Sequence, residues 1–415
     1  MKDGRKLYLF TLDFPFGKGE SYLESEIIFL SQQFSEVIII PRDVGKESRD
    51  LPSNVKLDTS FSMLIPKGLG MAIGIVVQLL SNAQLFKEFF KNPQVLFHFK
   101  SLKLLLYYSI IKSVIEKWYN QNQPHKGSIF YTYWLESFTY GLCNLKEQLN
   151  VVSRAHRYDL YEENYNRPYM PFRKEIFSRI NQIFCISEQG RRYLIYKYDL
   201  QENKVCLSRL GVFDSTFSTL NSRDEVFRIV SCSYMLPQKR VNLIIESIAK
   251  YASLNADQLI KWTHIGDGPL KQELEINAKE KFPQNVNWVF LGKIDNSQVL
   301  SFYKNNFVDV FINLSSSEGL PVSIMEVQRC AIPTIATNVG GVNEIVDNVN
   351  GVLLNSQPEI HEVSKAILDI YNSSKNGSIK EFKKASRVAW ENNFDAQKNY
   401  DQFVKELEKN RITNP

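Results

Sequence analysis

VDVFINLSSSEGLPVSIMEVQRCAIPTIATNVGGVNEIV, residues 308–346, reads as one strand–helix–strand unit. VDVFINLS (308–315) is a continuous run of apolar, β-branched and aromatic residues, the pattern of a strand covered on both faces. Small and polar residues from Ser315 to Gly319 make a turn. A helix is expected to begin around Pro321, because proline is well tolerated in a first helical turn. PTIATNVG (333–340) is the next strand. Two such strands joined through a helix lie parallel, and a parallel sheet needs helices over both of its faces.

The same alternation extends outward in both directions. FRIVSCS (227–233), KWTHIGDG (261–268), NWVFLGK (287–293) and GVLL (351–354) complete one set. LYLFTLDF (7–14), EVIIIP (36–41), SIFYTY (128–133), VVSRAH (151–156), QIFCIS (182–187) and KVCLSRLG (204–211) form another. Between them FDSTFSTLNSRDE (213–225) is polar and rich in Ser and Thr, with little to bury, and reads as a linker. The fold class is therefore α/β with two Rossmann-like, doubly wound domains, residues 1–215 and 216–390. Ligands of open parallel sheets bind beyond the carboxyl ends of the strands, so functional motifs are expected there.

A chain of 415 residues exceeds the roughly 100–200 of one ordinary domain. The net charge of +5 is mild and carries no long basic runs, which excludes nucleic acid as an expected partner. Five cysteines, odd in number and without a Cys-x-x-Cys pair, indicate neither a disulfide framework nor a zinc site, and fit a reducing compartment. The amino-terminal MKDGRKLYLFTLDF lacks an apolar signal core, and the longest apolar stretch, Leu69 to Leu80, falls short of the roughly 20 residues of a spanning helix. The expected location is cytoplasmic. Between 61 and 130, however, Lys67, Lys87, Lys91, Lys100, Lys103, Lys112, Lys117 and Lys126 face only Glu88 and Glu116. With Phe86, Phe89, Phe90, Leu102, Leu105, Leu106 and Ile110 at helical spacing, residues 61–120 read as one or more basic amphipathic helices, expected on the inner face of the cell membrane, the alternative being a core-facing helix pair with a solvated lysine face.

The turn-and-helix segment also carries the candidate chemistry. Glu318 and Glu326 stand eight residues apart, or about 12 Å along a helix, too far to share a proton. They can instead accept hydroxyl hydrogens from two ends of a long ligand, with a diphosphate on the helix-start amides between them. The plainer alternative is a helix cap and a solvated glutamate. Gly340-Gly341, Gly266 and Gly268 mark either tight turns or close backbone approach to a ligand. No Asp-x-Asp follows a strand, and the five histidines show no ligand spacing, so no metal is expected.

Glu-Gly-Leu-Pro followed after five residues by Glu (318–326), and then AIPTIATNVGGVNEIV, resembles the glycosyltransferase family 4 pattern on the GT-B fold. The likeness runs in order through FRIVSCSYMLPQKRVNLIIESI (227–248), THIGDGPLKQELE (263–275) and WVFLGK (288–293). It reaches more weakly to TLDFPFGKGESYLESEI (11–27) and SRAHRYDLYEE (153–163). The resemblance implies an acceptor-side first domain and a donor-binding second domain facing across a cleft, with a helix within 391–415 crossing back to the first. It also implies a retaining hexosyltransferase that uses a nucleotide diphosphate sugar, a UDP-sugar being favoured, without a metal or other cofactor. The acceptor would be a glycan or lipid-linked glycan of the capsule or O-antigen kind.

By position the resemblance gives Glu318 the transferred sugar, Glu326 the donor ribose and Lys239 the diphosphate. His156 would contact the donor sugar, and Gly17 and Gly19 would form a loop toward phosphates and acceptor. Gly319, Leu320, Pro321 and Val322 would line the donor, and main chain near Lys293 and Ile294 would read the base. Tyr234 stands where the family has an arginine. Either Arg240 supplies that charge or it is an ordinary solvated residue. A sugar-nucleotide epimerase or hydrolase on the same fold, or a non-catalytic subunit of a transferase complex, are the rival readings.

Overall fold

All twelve apolar runs read as strands form strands, and a short thirteenth, Val55–Leu57, joins them. The computed structural model describes residues 3–17, 19–125, 127–163, 169–215, 217 and 224–409. The chain divides into two units, one running to Ser208 and resuming at Tyr400, the other Arg209–Asn399. In the first unit the strands are β1 (Asp3–Thr11), β2 (Phe34–Pro41), β3 (Val55–Leu57), β4 (Ile129–Thr132), β5 (Asn150–Ala155), β6 (Gln182–Cys185) and β7 (Val205–Leu207). They lie in the order β3-β2-β1-β4-β5-β6-β7, every neighbouring pair parallel. The second unit holds β8 (Phe227–Cys232), β9 (Ile260–Ile265), β10 (Val286–Phe290), β11 (Val310–Asn313), β12 (Thr334–Thr337) and β13 (Gly351–Leu354). Its order is β10-β9-β8-β11-β12-β13, again all parallel.

Each sheet thus reverses its winding once, between β1 and β4 and between β8 and β11. At such a point two successive connections leave in opposite directions, and the loops at the carboxyl strand ends open a crevice. β3 escaped the sequence reading because three edge residues with only Val55 buried give no apolar run.

Residues 209–215 pack with the second unit. Val212 bridges Asp395, the Arg387 guanidinium pairs with Asp214 at 2.7 Å, and the Ser215 hydroxyl donates to the Arg329 carbonyl at 3.1 Å. This places the junction at 208/209, just ahead of the Ser/Thr-rich stretch, of which 216 and 218–223 lie outside the described residues. The Ala396–Lys409 helix belongs to the first unit from Tyr400 on, where Phe403 packs on Tyr131 and lies 4.2 Å from the Arg154 guanidinium. Residues 410–415 of the expected terminal helix lie outside the described residues.

Arg154 on β5 is fully buried and pairs with equally buried Glu26 at 2.9 Å, while the Tyr131 hydroxyl donates to the same carboxylate at 2.7 Å. A buried charge needs such partners, since desolvation alone would be prohibitive. The Phe99–Asn122 helix forms much of the first core through Leu105, Ile111, Ile115 and Trp118, all at 0% exposure. Leu105, Leu106 and Ile110, expected on a membrane-facing stripe, are therefore core residues. Apolar periodicity has the same form whether the stripe meets a core or a bilayer. Lys126 lies outside the described residues.

Candidate active site

In the second unit the reversal of winding brings the loop after β8 against the loop after β11. The Ser316 amide donates to the Gln238 carbonyl at 2.8 Å. The Arg240 guanidinium donates to three main-chain carbonyls, Leu314 at 2.5 Å, Ser315 at 2.7 Å and Ser356 at 3.0 Å. Arg240 itself adopts the left-handed conformation (φ 47°), and burial lowers its pKa. Its bonds give it a stapling role, distinct from that of its neighbour.

Lys239 ends the Pro237–Lys239 turn, and its ammonium lies 2.6 Å from Glu318 Oε1. The pair flanks the β8/β11 reversal, with 23% of the lysine side chain and 10% of the glutamate side chain exposed. Gly319, Leu320 and Pro321 lead from Glu318 into the Val322–Arg329 helix, for which Pro321 is the capping residue. The first amides of that helix are left without intrahelical acceptors, as at any helix start, and they lie beyond the carboxyl end of β11.

Glu326, on the inward side of this helix, is only 6% exposed. Burial raises its pKa above the usual glutamate value, opposed by the nearby Arg329 charge and a hydrogen bond from Asn296. The solvated-glutamate alternative therefore does not describe it. Tyr303 is also fully buried, and its hydroxyl has no hydrogen-bond partner among the described residues.

The glycines serve chiefly to seat these loops on one another. A Cβ on Gly266 (φ 143°) would lie 1.9 Å from the Ser233 carbonyl oxygen, and one on Gly268 would meet the Met235 backbone at 2.7 Å. The His264 imidazole, fully buried and with its pKa pushed down to about 4 by that burial, stays neutral and bridges the Ser231 hydroxyl and the Ser233 carbonyl. Gly341 N–H donates to the Gly319 carbonyl at 2.8 Å, fixing the loop after β12 to the glutamate loop. Tyr234 is 57% exposed. Lys293 is exposed and Ile294 half-buried, both in the loop after β10 at the same edge of the sheet.

The first unit repeats the design at its own reversal. Glu20, 1% exposed, accepts from the Leu12, Asp13 and Phe14 amides at 3.0, 2.9 and 2.8 Å and from the Trp134 indole at 2.6 Å. It thereby binds the loop after β1 to the loop after β4. Desolvation raises the Glu20 pKa, and the amide and indole bonds pull the other way. Gly17 leaves room for Asp13, whose Oδ2 would be 1.7 Å from an added Cβ, while Gly19 is looser at 3.6 Å.

His156, just after β5, lies between Tyr133 and Trp134 with ring centroids 4.7 and 4.5 Å away. Asp159 holds the histidine backbone amide at 2.6 Å and the Leu135 amide at 2.7 Å. Nε2 is buried without a hydrogen-bond partner among the described residues, and Nδ1 lies 3.9 Å from Asp159 Oδ2. Sequence reading missed Glu20, Tyr133, Trp134 and Asp159. The visible signal was the Tyr-Trp pair directly after SIFYT, two aromatic rings placed where a strand ends at a reversal point.

Two Rossmann-like units with parallel sheets are the architecture of the GT-B fold. Residues 213–393 match the family model "Glycosyl transferases group 1". The O-antigen biosynthesis glycosyltransferase WbnH of Escherichia coli is 26% identical over 216 residues, 49% of this chain and 59% of WbnH. Protein CapJ of Staphylococcus aureus is 25% identical over 254 residues, 59% of this chain and 56% of CapJ. The match thus spans little more than half the length of these relatives. Among solved structures, Anabaena HepE in complex with UDP and glucose superposes with a TM-score of 0.61 at 14% identity, covering 97% of this chain and 99% of that one. At that identity the likeness concerns the fold.

Proposed function

We propose that the chain is a retaining hexosyltransferase of the family 4 type, moving a sugar from a nucleotide diphosphate sugar, a UDP-sugar in preference, to a glycan or lipid-linked glycan precursor of a surface polysaccharide. The observation that carries this reading is the Lys239–Glu318 pair at the β8/β11 reversal, beside a helix start. A compact ammonium there meets the charge that grows on a leaving diphosphate as the glycosidic bond breaks, and helix-start amides take further phosphate oxygens. No metal is needed for that neutralisation in the proposed scheme. Glu318, when its lysine turns to the phosphates, is left to accept hydroxyl hydrogens of the sugar. Glu326, nearly buried, does the same for the ribose. The UDP in the HepE structure and the O-antigen role of WbnH support this choice of donor and acceptor.

Retention by a front-face route asks for charge stabilisation and positioning, without a carboxylate nucleophile. The first unit fits that demand. Glu20 and Asp159, in the segments that follow β1 and β5, are engaged by main-chain N–H groups, while Asp13, two residues beyond β1, keeps a buried Oδ1 without a hydrogen-bond partner among the described residues. His156, packed at a tilt against two aromatic rings, offers a sugar hydroxyl its Nε2, which has no hydrogen-bond partner among the described residues. The test is sugar transfer from a panel of UDP-sugars and other nucleotide sugars to lipid-linked glycan acceptors, with the new linkage read by NMR. Transfer with the donor's anomeric configuration kept is expected. An inverted linkage would overturn the mechanism, and absence of transfer with every donor would overturn the function.

A further inference from the structure

The Leu69–Ser81 helix of the first unit packs Met71 and Ile75 on the core but turns a broader apolar side outward. Gln78 turns in and donates to the Ser113 hydroxyl at 2.8 Å, and Gly74 lets the helix approach Ile110, whose Cδ1 would be 3.9 Å from an added Cβ. On the opposite face Leu69, Ile73, Val76, Val77 and Leu80 are 78, 57, 53, 50 and 80% exposed. Their spacing, i, i+4, i+7, i+8 and i+11, makes one continuous stripe. A helix of a water-facing surface carries the reverse arrangement.

The stripe does not stand alone. Phe86 and Phe90 on the following Ala83–Lys91 helix, and Phe97 and Phe99 beyond it, are 46, 87, 91 and 78% exposed. Of 24 large exposed apolar side chains among the described residues, 11 fall between Met63 and Phe99. Contiguous apolar exposure on this scale marks a binding surface. The exposed charges of the segment itself have one sign. Residues 63–103 contain Lys67, Lys87, Lys91, Lys100 and Lys103, all exposed, and a single acid, Glu88, which is 5% exposed and receives the Tyr169 hydroxyl. Lys91 pairs with Glu175 at 2.9 Å, leaving the other lysines to the rim.

We infer that this face docks on an anionic lipid bilayer, with the Leu69–Leu80 stripe and the four phenylalanines in the interfacial layer and the lysines at the headgroups. An apolar patch ringed by ammonium groups is complementary to acyl chains beneath a negative surface. No single helix among the described residues is long and apolar enough to cross a membrane; Leu69–Leu80 and Ala83–Lys91 reach that length and composition only together, across a bend of 74°. The inserted face is thus not the one periodicity singled out, since Leu105, Leu106 and Ile110 belong to the core. The inference does not depend on the transferase reading, because none of its residues belongs to the proposed donor or sugar site.

The experiment is flotation of the full chain with vesicles of two parts phosphatidylcholine to one part phosphatidylglycerol, beside vesicles of phosphatidylcholine alone. Binding to the anionic vesicles is expected, weakened by salt and weaker on the neutral ones. Ile73→Asp with Val77→Asp should reduce it at least tenfold, and Lys87→Gln with Lys103→Gln about fivefold per lysine. Both pairs are exposed, and unchanged thermal melting and UDP binding report that each variant is folded. Failure of the parent chain to float, or equal flotation of the aspartate variant, would overturn the inference. So would a parent chain that is dimeric without lipid and becomes monomeric on Ile73→Asp, because a second copy would then be what covers this face.

Discussion

The Gly340 backbone lies so close to Glu318 that a Cβ added to the glycine would stand 1.9 Å from the glutamate's carbonyl oxygen. With φ at 54°, Gly340 also holds a conformation that costs other residues about 1–2 kcal/mol. Gly340→Ala must therefore push the Glu318 loop outward as well as strain its own backbone. The expected outcome is a melting point lower by several degrees together with weaker UDP binding in calorimetry. Unchanged values of both would show that the loop after β11 is not seated on the loop after β12 in the way described.

Lys239→Ala removes one preorganised charge and leaves a partly exposed ion pair unmade. Loss of a transition-state contact of this kind costs roughly a hundred- to a thousandfold in kcat. Loss of an ion pair that retains solvent contact costs about 1 kcal/mol of stability or less. A large drop in kcat at saturating donor with nearly unchanged melting is expected, and Glu318→Gln should follow the same pattern. Near-normal turnover in both variants would remove the pair from the mechanism.

Glu326 gives a pH dependence with a defined sign. Burial raises its folded-state pKa, so the folded protein prefers the protonated carboxyl more than the unfolded chain does. The stability this contributes is present below the unfolded value, about 4.3, and is lost as pH rises through the higher folded value. Glu326→Gln should flatten that decline and melt higher than the parent at neutral pH, while binding nucleotide more weakly. Melting curves across acid to neutral pH, with and without UDP, measure both effects. A variant that keeps the parent's pH profile would place the titration elsewhere.

Glu20→Gln tests the scaffold of the first unit. The carboxylate accepts from three amides and an indole, and an amide in its place would turn a donor toward donors. Each buried group left unpartnered costs about 1–3 kcal/mol. A loss of roughly 2–4 kcal/mol in denaturant unfolding is expected, accompanied by a changed tryptophan fluorescence as Trp134 loses its acceptor. Wild-type stability and emission would refute the clamp.

The alternation of apolar strands with helices was legible along the whole chain because burial on both faces of a parallel sheet demands continuous apolar runs. Even the second unit's site was partly visible, since Glu318, Lys239 and the glycines all follow such runs. Glu326 was ambiguous in sequence, because its distance from Glu318 is the same whether the side chain is buried or solvated. Only packing against Asn296 and Arg329 decides it.

The order of residues thus determined by itself which segments are strands, that they lie parallel, and that Lys239, Glu318 and His156 follow strand ends. Tertiary structure alone decided the partners, because they come from loops distant in sequence that meet where the sheets reverse: Lys239 with Glu318, Arg240 with three carbonyls, Glu20 with Trp134, and His156 between two rings. It also decided which apolar stripe of the basic segment is core and which is exposed. Helical spacing records that a face is apolar. What that face touches depends on the sheet beneath it, and Ile110 and Ile73 read alike until the sheet is in place.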